Sequence, residues 1–186
     1  MASRKRMLNT FKEATSLSSY AEMPVLSASV DPQLHLSKNE IRQPFFLICE
    51  KDCLLAQLTG RARLELRNSP TSFFDMKMGD HVYIPGGTPH RFVPFESSIV
   101  YRYKAAKPGR EAISWYCESC GNKLTQFSWD VSAYLPQEGY DYFCRRFNEN
   151  ETLRRCTGCG ATHAPIDLSQ FHWAEIAAQL RKAEDI

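Results

Sequence analysis

The chain has 186 residues, which is enough for one domain with a sizeable core and an appendage, or for two small domains. Its 23 basic and 21 acidic residues give a formal net charge of +2, so charge does not support a nucleic-acid or membrane-surface partner. No run approaches the roughly 18 apolar residues of a membrane span, and no hydrophobic signal core follows the first basic residues, so we expect a cytoplasmic protein.

The first two predicted segments are a polar arm and a β-rich region. The arm covers residues 1–32, where TSLSSYAEM and LSASVD show no sustained period. Residues 33–112 contain the short runs FFLIC, LLAQLTG, ARLEL, HVYIP and SIVYRYK, separated by turns rich in Asn, Ser, Pro and Gly. This alternation predicts an all-β fold, an antiparallel sandwich or barrel closed by short hairpins.

One motif in the β-rich region, GDHVYIPGGTPH at residues 79–90, has a fixed spacing of glycine, proline and histidine. Its first glycine and aspartate turn into a strand, and the P-G-G stretch ends that strand sharply. His90 then points into the predicted barrel. A lone histidine is usually not a ligand, but this spacing makes His90 a candidate functional residue of the barrel mouth.

Residues 113–165 form a predicted metal-binding segment. It contains two C-x-x-C pairs, each followed by glycine: Cys117 and Cys120, then Cys156 and Cys159. Thiolates two residues apart reach one ion, and two such knuckles supply a tetrahedral four-sulfur set. Among seven cysteines, this spacing indicates metal binding in a reducing compartment over a disulfide framework. The ion is zinc or iron, and the site is structural because protein atoms fill all four positions.

The last predicted segment is a C-terminal helix over residues 166–186. Its apolar face would carry Trp173, Ile176, Ala177 and Leu180. Asp167, three residues before Gln170, could cap the start of this helix. We expect the helix to pack on its own domain.

These motifs together resemble a known family. GDHVYIPGGTPH resembles the second motif of the cupins, which are small β-barrels (double-stranded β-helix or jelly-roll) with one site in the barrel mouth. With WYCESCG and RRCTGCG in the same order, it resembles 3-hydroxyanthranilate 3,4-dioxygenase of the bacterial and fungal type, over about residues 34–164. The resemblance implies a cupin barrel joined to a rubredoxin-like metal site, a homodimer and a small aromatic ligand. Members of that family open an aromatic ring with non-haem iron held by two histidines and a glutamate.

The iron triad of that family is degenerate in this sequence. Counting back from Gly60, the glutamate falls on Cys53 and the first histidine on Leu47, so only His90 is left. The residues with which the family grips its substrate fall on Gln43, Pro94 and about Lys104. We therefore expect no ring opening of 3-hydroxyanthranilate, and the resemblance transfers the fold better than the reaction.

The barrel mouth has more than one interpretation. The general first cupin motif, laid on LICEKDC, puts ligand positions at Leu47, Cys49 and Cys53. Cys49, Cys53 and His90 could hold a second ion, a zinc with an open fourth position. The barrel could instead be metal-free, lined by Leu47 and two unreactive cysteines. Glu50 as a ligand is a further alternative.

Three functions are compatible with the sequence. We favour an enzyme that acts on a small aromatic or carbonyl metabolite in a specialised pathway without the iron triad. Its candidate acids, bases and nucleophiles are His90, Cys49, Cys53, Lys104 and Tyr101. The second is a non-catalytic ligand-binding or scaffolding cupin, and the third is an oxidative metalloenzyme with rearranged ligands.

Overall fold

The computed structural model describes residues 7–184. Residues 1–6 of the predicted arm and 185–186 of the predicted helix lie outside the described residues. Eleven strands in two antiparallel sheets outnumber four helices in the described chain, which confirms the predicted all-β barrel. Within residues 7–184, no helix is long and apolar enough to cross a membrane.

The two sheets build the barrel from strands that are distant in sequence. The five-stranded sheet has the order β1 (Met23–Pro24), β2 (Gln33–Asn39), β9 (Ser98–Lys104), β4 (Cys53–Thr59) and β7 (His81–Ile84). The six-stranded sheet has the order β11 (Lys123–Asp130), β10 (Arg110–Tyr116), β3 (Phe46–Cys49), β8 (His90–Pro94), β5 (Ala62–Leu66) and β6 (Phe73–Met76). Strand β10 pairs with both β3 and β11, so the second sheet continues beyond residue 112, the predicted end of the barrel.

The core forms because alternate side chains of each strand point between the sheets. Strand β9 alternates strictly, with every second residue from Ser98 to Lys104 buried. Leu47, Leu64 and Phe92 belong to the same buried apolar cluster, although they come from three different strands. The inner face of β9 is not wholly apolar, because it places two charged residues, Arg102 and Lys104, among these apolar groups.

The helices lie at the two ends of the chain: α1 (Thr10–Ala14), α2 (Pro136–Glu149), α3 (Glu151–Arg154) and α4 (Trp173–Glu184). The predicted apolar face of α4 is confirmed, since Trp173, Ile176 and Ala177 are buried. The helix begins later than residue 166. Asp167 accepts a hydrogen bond from the backbone of Ser169 and caps a short 3-10 turn instead of α4.

The predicted arm is part of the packed structure. Tyr20 donates its backbone N–H to Asn39 Oδ1 at 2.9 Å, and Trp173 Nε1 donates to the Tyr20 carbonyl at 3.0 Å. Gln137 of α2 donates to the carbonyls of Ala21 and Glu22. These bonds join the arm to β2, α2 and α4, so the segment around Tyr20 closes one end of the barrel.

Candidate functional site

The four knuckle cysteines come together as the sequence predicts. The Sγ atoms of Cys117 and Cys159 are 3.5 Å apart, and those of Cys120 and Cys156 are also 3.5 Å apart. All four sulfurs lie within 4.8 Å of one another. A tetrahedron with metal–sulfur bonds of about 2.3 Å separates its sulfurs by about 3.8 Å, so this donor set fits one zinc or iron ion.

The same turn builds both halves of this cluster. Gly121 donates its N–H to the Cys117 carbonyl at 2.8 Å, and Gly160 donates to the Cys156 carbonyl at 2.9 Å. Both glycines have positive φ, +78° and +77°, a conformation that a side chain disfavours. Each C-x-x-C-G sequence therefore folds locally into a knuckle, and the tertiary structure only has to bring the two knuckles together.

The structure also brings Cys49, Cys53 and His90 together inside the barrel. One ligand atom from each lies within 4.8 Å of the others. Cys49 ends β3, Cys53 begins β4 and His90 begins β8. Their exposed fractions are 6%, 4% and 0%, so this cluster is closed to solvent.

A fourth group, the guanidinium of Arg102, enters this cluster. His90 Nδ1 lies 2.9 Å from the Thr88 carbonyl oxygen, which can only accept, so Nδ1 carries the ring proton. The other ring nitrogen, Nε2, then accepts from Arg102 Nη1 at 2.6 Å. The same Nη1 lies 3.8 Å from Cys53 Sγ. Arg102 thus uses the lone pair with which His90 would bind a metal.

Glu22 of the arm holds Arg102 in this position. Its carboxylate accepts from Arg102 Nε at 2.8 Å and from Lys104 Nζ at 2.7 Å. Lys104 also pairs with Glu111 at 2.7 Å, and Tyr140 donates to Glu22 at 3.1 Å. Two buried cations thus face two buried carboxylates, and the network has no net charge.

The pKa shifts follow from these contacts. Burial favours the protonated carboxyl of Glu22, but Lys104 and Arg102 outweigh burial and lower its pKa. Burial likewise disfavours charged Arg102, but Glu22 raises the pKa of the guanidinium above its ordinary value. Burial first, and then Arg102, lower the pKa of His90 to about 3. At neutral pH the network therefore contains charged Glu22 and Arg102 beside a neutral histidine.

The two barrel thiols differ from each other. The hydrogen bond with Cys49 is the largest cause that lowers the pKa of Cys53, to about 7, and Arg102 and Lys104 add to it. The same hydrogen bond, together with burial, raises the pKa of Cys49. Cys53 is therefore the more acidic of the two barrel thiols.

The barrel residues do not fit a second metal ion. A divalent cation bound by Cys49, Cys53 and His90 would lie against a guanidinium that is always charged. It would also need the Nε2 lone pair, which accepts from Arg102. Arg102 cannot leave without separating from Glu22, and an unpaired charge in this buried position is costly. Of the predicted arrangements of the barrel, the metal-free one matches this geometry.

The remaining predicted site residues lie in different places. Lys104 is in the network, directly opposite Cys53 in the β4–β9 register. Tyr101 is not, because it lies on the other face of β9 and bonds Thr10 of α1. Sequence reasoning missed Arg102, although the period of two in SIVYRYK puts it on the same face as Lys104. It also missed Glu22, Glu111 and Tyr140, which are too far apart in sequence for any spacing rule to connect them.

Glu22 enters the barrel through strained backbone. Tyr20 and Glu22 have φ values of +57° and +44°, which residues with side chains rarely adopt. The backbone N–H of Glu22 donates to Ser37 Oγ at 2.9 Å, and the Tyr20 side chain donates to the carbonyls of Ile41 and Phe92. Such strain persists only where surrounding bonds fix the conformation. The arm is therefore held in one conformation, in which it closes one end of the barrel.

Comparisons with known proteins support the resemblance deduced from the motifs. No family model matches the chain. It is 26% identical over 136 residues to 3-hydroxyanthranilate 3,4-dioxygenase 2 of Aspergillus oryzae, covering 69% of this chain and 76% of that protein. It is 29% identical over 126 residues to 3-hydroxyanthranilate 3,4-dioxygenase of Cupriavidus pinatubonensis, covering 64% of this chain and 65% of that protein. A solved cupin-2 domain protein of Shewanella frigidimarina aligns with TM-score 0.46 and 16% identity, over 53% of this chain and 94% of its own.

The chain thus has a cupin-type barrel and resembles 3-hydroxyanthranilate 3,4-dioxygenases in sequence, while the dioxygenase triad is absent from the positions counted from Gly60. The predicted homodimer, the cytoplasmic location and the segment boundaries stay predictions.

Proposed function

We propose that this chain is a non-catalytic, ligand-binding or scaffolding cupin whose barrel interior is a charge-balanced structural core. The observation that carries this proposal is the position of Arg102, whose guanidinium bonds His90 Nε2 at 2.6 Å and pairs with Glu22. The guanidinium of Arg102 lies beside His90, where a metal-dependent cupin would bind its ion. The N-terminal arm fills the same end of the barrel. Because the buried cations and carboxylates pair with one another, the interior offers no unpaired charge to bind a substrate.

The four-cysteine cluster supports this function as a structural element. With four protein thiolates, the ion has no open position for a substrate or water. One ion there would join the end of β10 to the segment after α3, since Cys117 directly follows β10 and Cys156 follows α3. Binding free energy at such a site is folding free energy, so the ion would stabilise this part of the chain.

Metal content and oxygen uptake test the proposal together. Purified protein should carry one zinc or iron per chain, and the variant Cys49→Ala, Cys53→Ala should carry the same amount. With ferrous iron and 3-hydroxyanthranilate, the parent protein should consume no oxygen above background, because no two-histidine, one-carboxylate site activates it. Two ions in the parent and one in the variant, or steady ring-opened product, would overturn the proposal.

The lowered pKa of Cys53 favours a second candidate, an enzyme that uses this thiolate as nucleophile or base. Such an enzyme would need its substrate to reach Cys53, which is only 4% exposed. Alkylation by iodoacetamide, followed by peptide mass spectrometry, separates the candidates. A structural core should protect Cys53 in native protein and release it on unfolding in urea. Rapid modification of native Cys53 would favour the enzyme.

A further inference from the structure

The two cysteines of the barrel interior lie close together although they belong to different sheets. Cys49 ends β3 in the six-stranded sheet, and Cys53 begins β4 in the five-stranded sheet. Only three residues separate them along the chain. Their sulfurs lie within 4.8 Å of each other, and the Cys49 thiol donates a hydrogen bond to Cys53. The two thiols are therefore neighbours across the corner between the sheets.

The strands next to the cysteines hold this arrangement. Cys49 is the register partner of Glu111 on β10, and Cys53 is the register partner of Lys104 on β9. Lys104 and Glu111 bond each other at 2.7 Å, and their side chains are buried. This ion pair crosses from one sheet to the other beside the thiols. Because register partners lie side by side on one face of a sheet, the ion pair keeps the two cysteines facing each other.

Rotation of the cysteine side chains is enough to close a disulfide. An S–S bond is about 2.05 Å long and joins Cβ atoms about 3.5–4.5 Å apart. A change of χ1 between two staggered rotamers moves a cysteine sulfur by about 3 Å. Sulfurs that start within 4.8 Å of each other therefore reach bonding distance by side-chain rotation.

The charges around the two thiols give them different roles. Arg102 Nη1 lies 3.8 Å from Cys53 Sγ, and Lys104 stands opposite Cys53, so two cations favour a thiolate at this sulfur. Cys49 stands opposite Glu111, whose carboxylate opposes a second negative charge. Cys53 is thus suited to attack an oxidant, and Cys49 is suited to attack Cys53 afterwards.

Access to the pair suits a small oxidant. The turn next to Cys49 is exposed glycine backbone, in which Gly87 donates its N–H to the Cys49 carbonyl at 2.8 Å. A Cβ added at Gly87 would meet no atom within 4 Å, so the cover over this end of the pair is thin. Cys49 and Cys53 are nevertheless buried, which excludes bulky reagents. Hydrogen peroxide is only one oxygen atom larger than water and matches this restricted access.

We propose that Cys49 and Cys53 are a redox-active dithiol, which a small hydroperoxide oxidises to a disulfide between the two sheets. The Cys53 thiolate attacks one oxygen of hydrogen peroxide, so an S–O bond forms, the O–O bond breaks and the leaving hydroxide takes up a proton as water. The Cys49 thiol then attacks the sulfenic acid of Cys53. An S–S bond forms, the S–O bond breaks, and hydroxide leaves with the thiol proton as a second water. Two thiols and one peroxide thus give one disulfide and two waters.

This inference rests on the proposed function, because a barrel without a metal ion leaves both sulfurs free to react. It adds a reversible modification to the closed core. The disulfide would link β3 to β4 covalently, and a dithiol reductant would restore the two thiols.

Tryptic mapping tests the disulfide directly, because Lys51 lies between the two cysteines. Trypsin places Cys49 in peptide 43–51 and Cys53 in peptide 52–61. Native protein is treated with hydrogen peroxide, quenched with catalase, unfolded and alkylated with iodoacetamide before digestion. The two peptides should appear linked, at two hydrogen masses below their sum. Dithiothreitol added before alkylation should separate them.

Cys144 is the internal control, since it is a buried cysteine outside both clusters and lies in a different tryptic peptide. The peroxide treatment is continued until Cys144 is oxidised. Linkage of the two barrel peptides should be faster than oxidation of Cys144 by about tenfold or more in native protein. This advantage should disappear in urea, where Arg102 no longer lies beside Cys53. Unlinked barrel peptides after Cys144 has been oxidised would overturn the inference.

Variants distinguish the attacking thiol from its partner. Cys49→Ser should let Cys53 oxidise without linkage, so that peptide 52–61 gains oxygen, whereas Cys53→Ser should leave Cys49 reduced under the same conditions. The matched control, Cys144→Ser, should give parent-like linkage. Equally fast oxidation of the remaining thiol in the two barrel variants would contradict the roles assigned to them. Circular dichroism checks the fold of each variant, and the map of the parent protein decides the disulfide if a variant does not fold.

Metal content separates this inference from the proposed function. Unlinked peptides in parent protein that carries one ion per chain would remove the dithiol and leave the closed core standing. Parent protein that carries two ions, and whose peptides link only after a chelator has removed one of them, would overturn the metal-free barrel and this inference with it.

Discussion

Arg102 Nη1 lies 2.6 Å from His90 Nε2, so the histidine that ends the GDHVYIPGGTPH motif accepts a hydrogen bond from an arginine. Leu55 stands opposite Arg102 in the register of β4 and β9, and Cys53 stands opposite Lys104. Both cations thus lie along the part of the barrel where sequence counting puts the lost ligands. Two side chains of one strand supply the positive charge of this part of the barrel.

The Arg102–Glu22 pair makes the first prediction. Arg102→Met should lower the free energy of unfolding by about 3–5 kcal/mol, because it leaves Glu22 buried with only one of its two cations. Urea denaturation measures the change. As a control, Arg61→Met breaks a pair whose side chains are 69% and 52% exposed, and it should cost less than about 1 kcal/mol.

A double variant checks that the loss comes from charge imbalance. Arg102→Met with Glu22→Gln leaves Lys104 and Glu111 as a balanced pair. The double variant should therefore be more stable than the sum of the single changes indicates, by more than about 1 kcal/mol. Strict additivity of the two changes would contradict a coupled network.

Lowering the pH below about 6.5 should destabilise the folded protein. His90 has a pKa of about 3 in the folded protein, so between these values the unfolded chain binds a proton that the folded chain does not. The free energy of unfolding should fall with decreasing pH in that window, by up to about 1.4 kcal/mol per pH unit for this group. Glu22, whose folded pKa is lowered, adds a loss in the same direction below about pH 4.

His90→Gln isolates the histidine contribution. A glutamine amide can accept from Arg102 and donate to the Thr88 carbonyl without titrating. Urea denaturation at several pH values and fixed ionic strength should give a shallower pH dependence for this variant between pH 6.5 and 5. His35, whose pKa burial also lowers to about 3, is present in both proteins and cancels in the comparison. Identical slopes would show that His90 is not the group responsible.

If the four cysteines share one ion, removing one of them should reduce both the metal content and the stability of the protein. Cys156→Ser should release the ion and lower the melting temperature by several degrees, on the order of 2–4 °C for each kcal/mol lost in a chain of this size. Emission spectrometry measures the metal content, and a thermal scan measures the melting temperature. The matched control is Cys144→Ser, a buried cysteine outside the cluster, which should keep the full metal content. Full metal content in Cys156→Ser would show that the four sulfurs do not share one ion.

Gly139 tests the packing of α2 on the second sheet. A Cβ added at this position would lie 2.4 Å from a ring atom of Trp129. Gly139→Ala should therefore cost about 1–3 kcal/mol, although alanine favours a helix by about 1 kcal/mol over glycine. An exposed change on the same helix, Glu149→Ala, should stay within about 0.5 kcal/mol. A more stable Gly139→Ala protein in urea denaturation would show that Trp129 moves aside without cost.

Local sequence patterns determined much of this protein. The C-x-x-C-G knuckles, the short β-rich runs and the apolar face of α4 were all predicted, because each depends on residues within one turn, one strand or one helix. The inward direction of His90 was predicted in the same way, from the turn that precedes β8. The candidate site was predicted only in part: the pattern placed Cys49, Cys53 and His90 at the barrel mouth, and it also included Tyr101, which faces α1.

Only the tertiary structure decided what fills the barrel. Glu22 is 80 residues from Arg102 and 118 residues from Tyr140, and contacts at such separations leave no periodic signal in a single sequence. The buried charges are stable only as a set, since each carboxylate needs a cation whose own burial it compensates. The sequence indicated that the family's ligand types are missing from their counted positions, but only the assembled barrel showed that Arg102, held by Glu22, bonds His90.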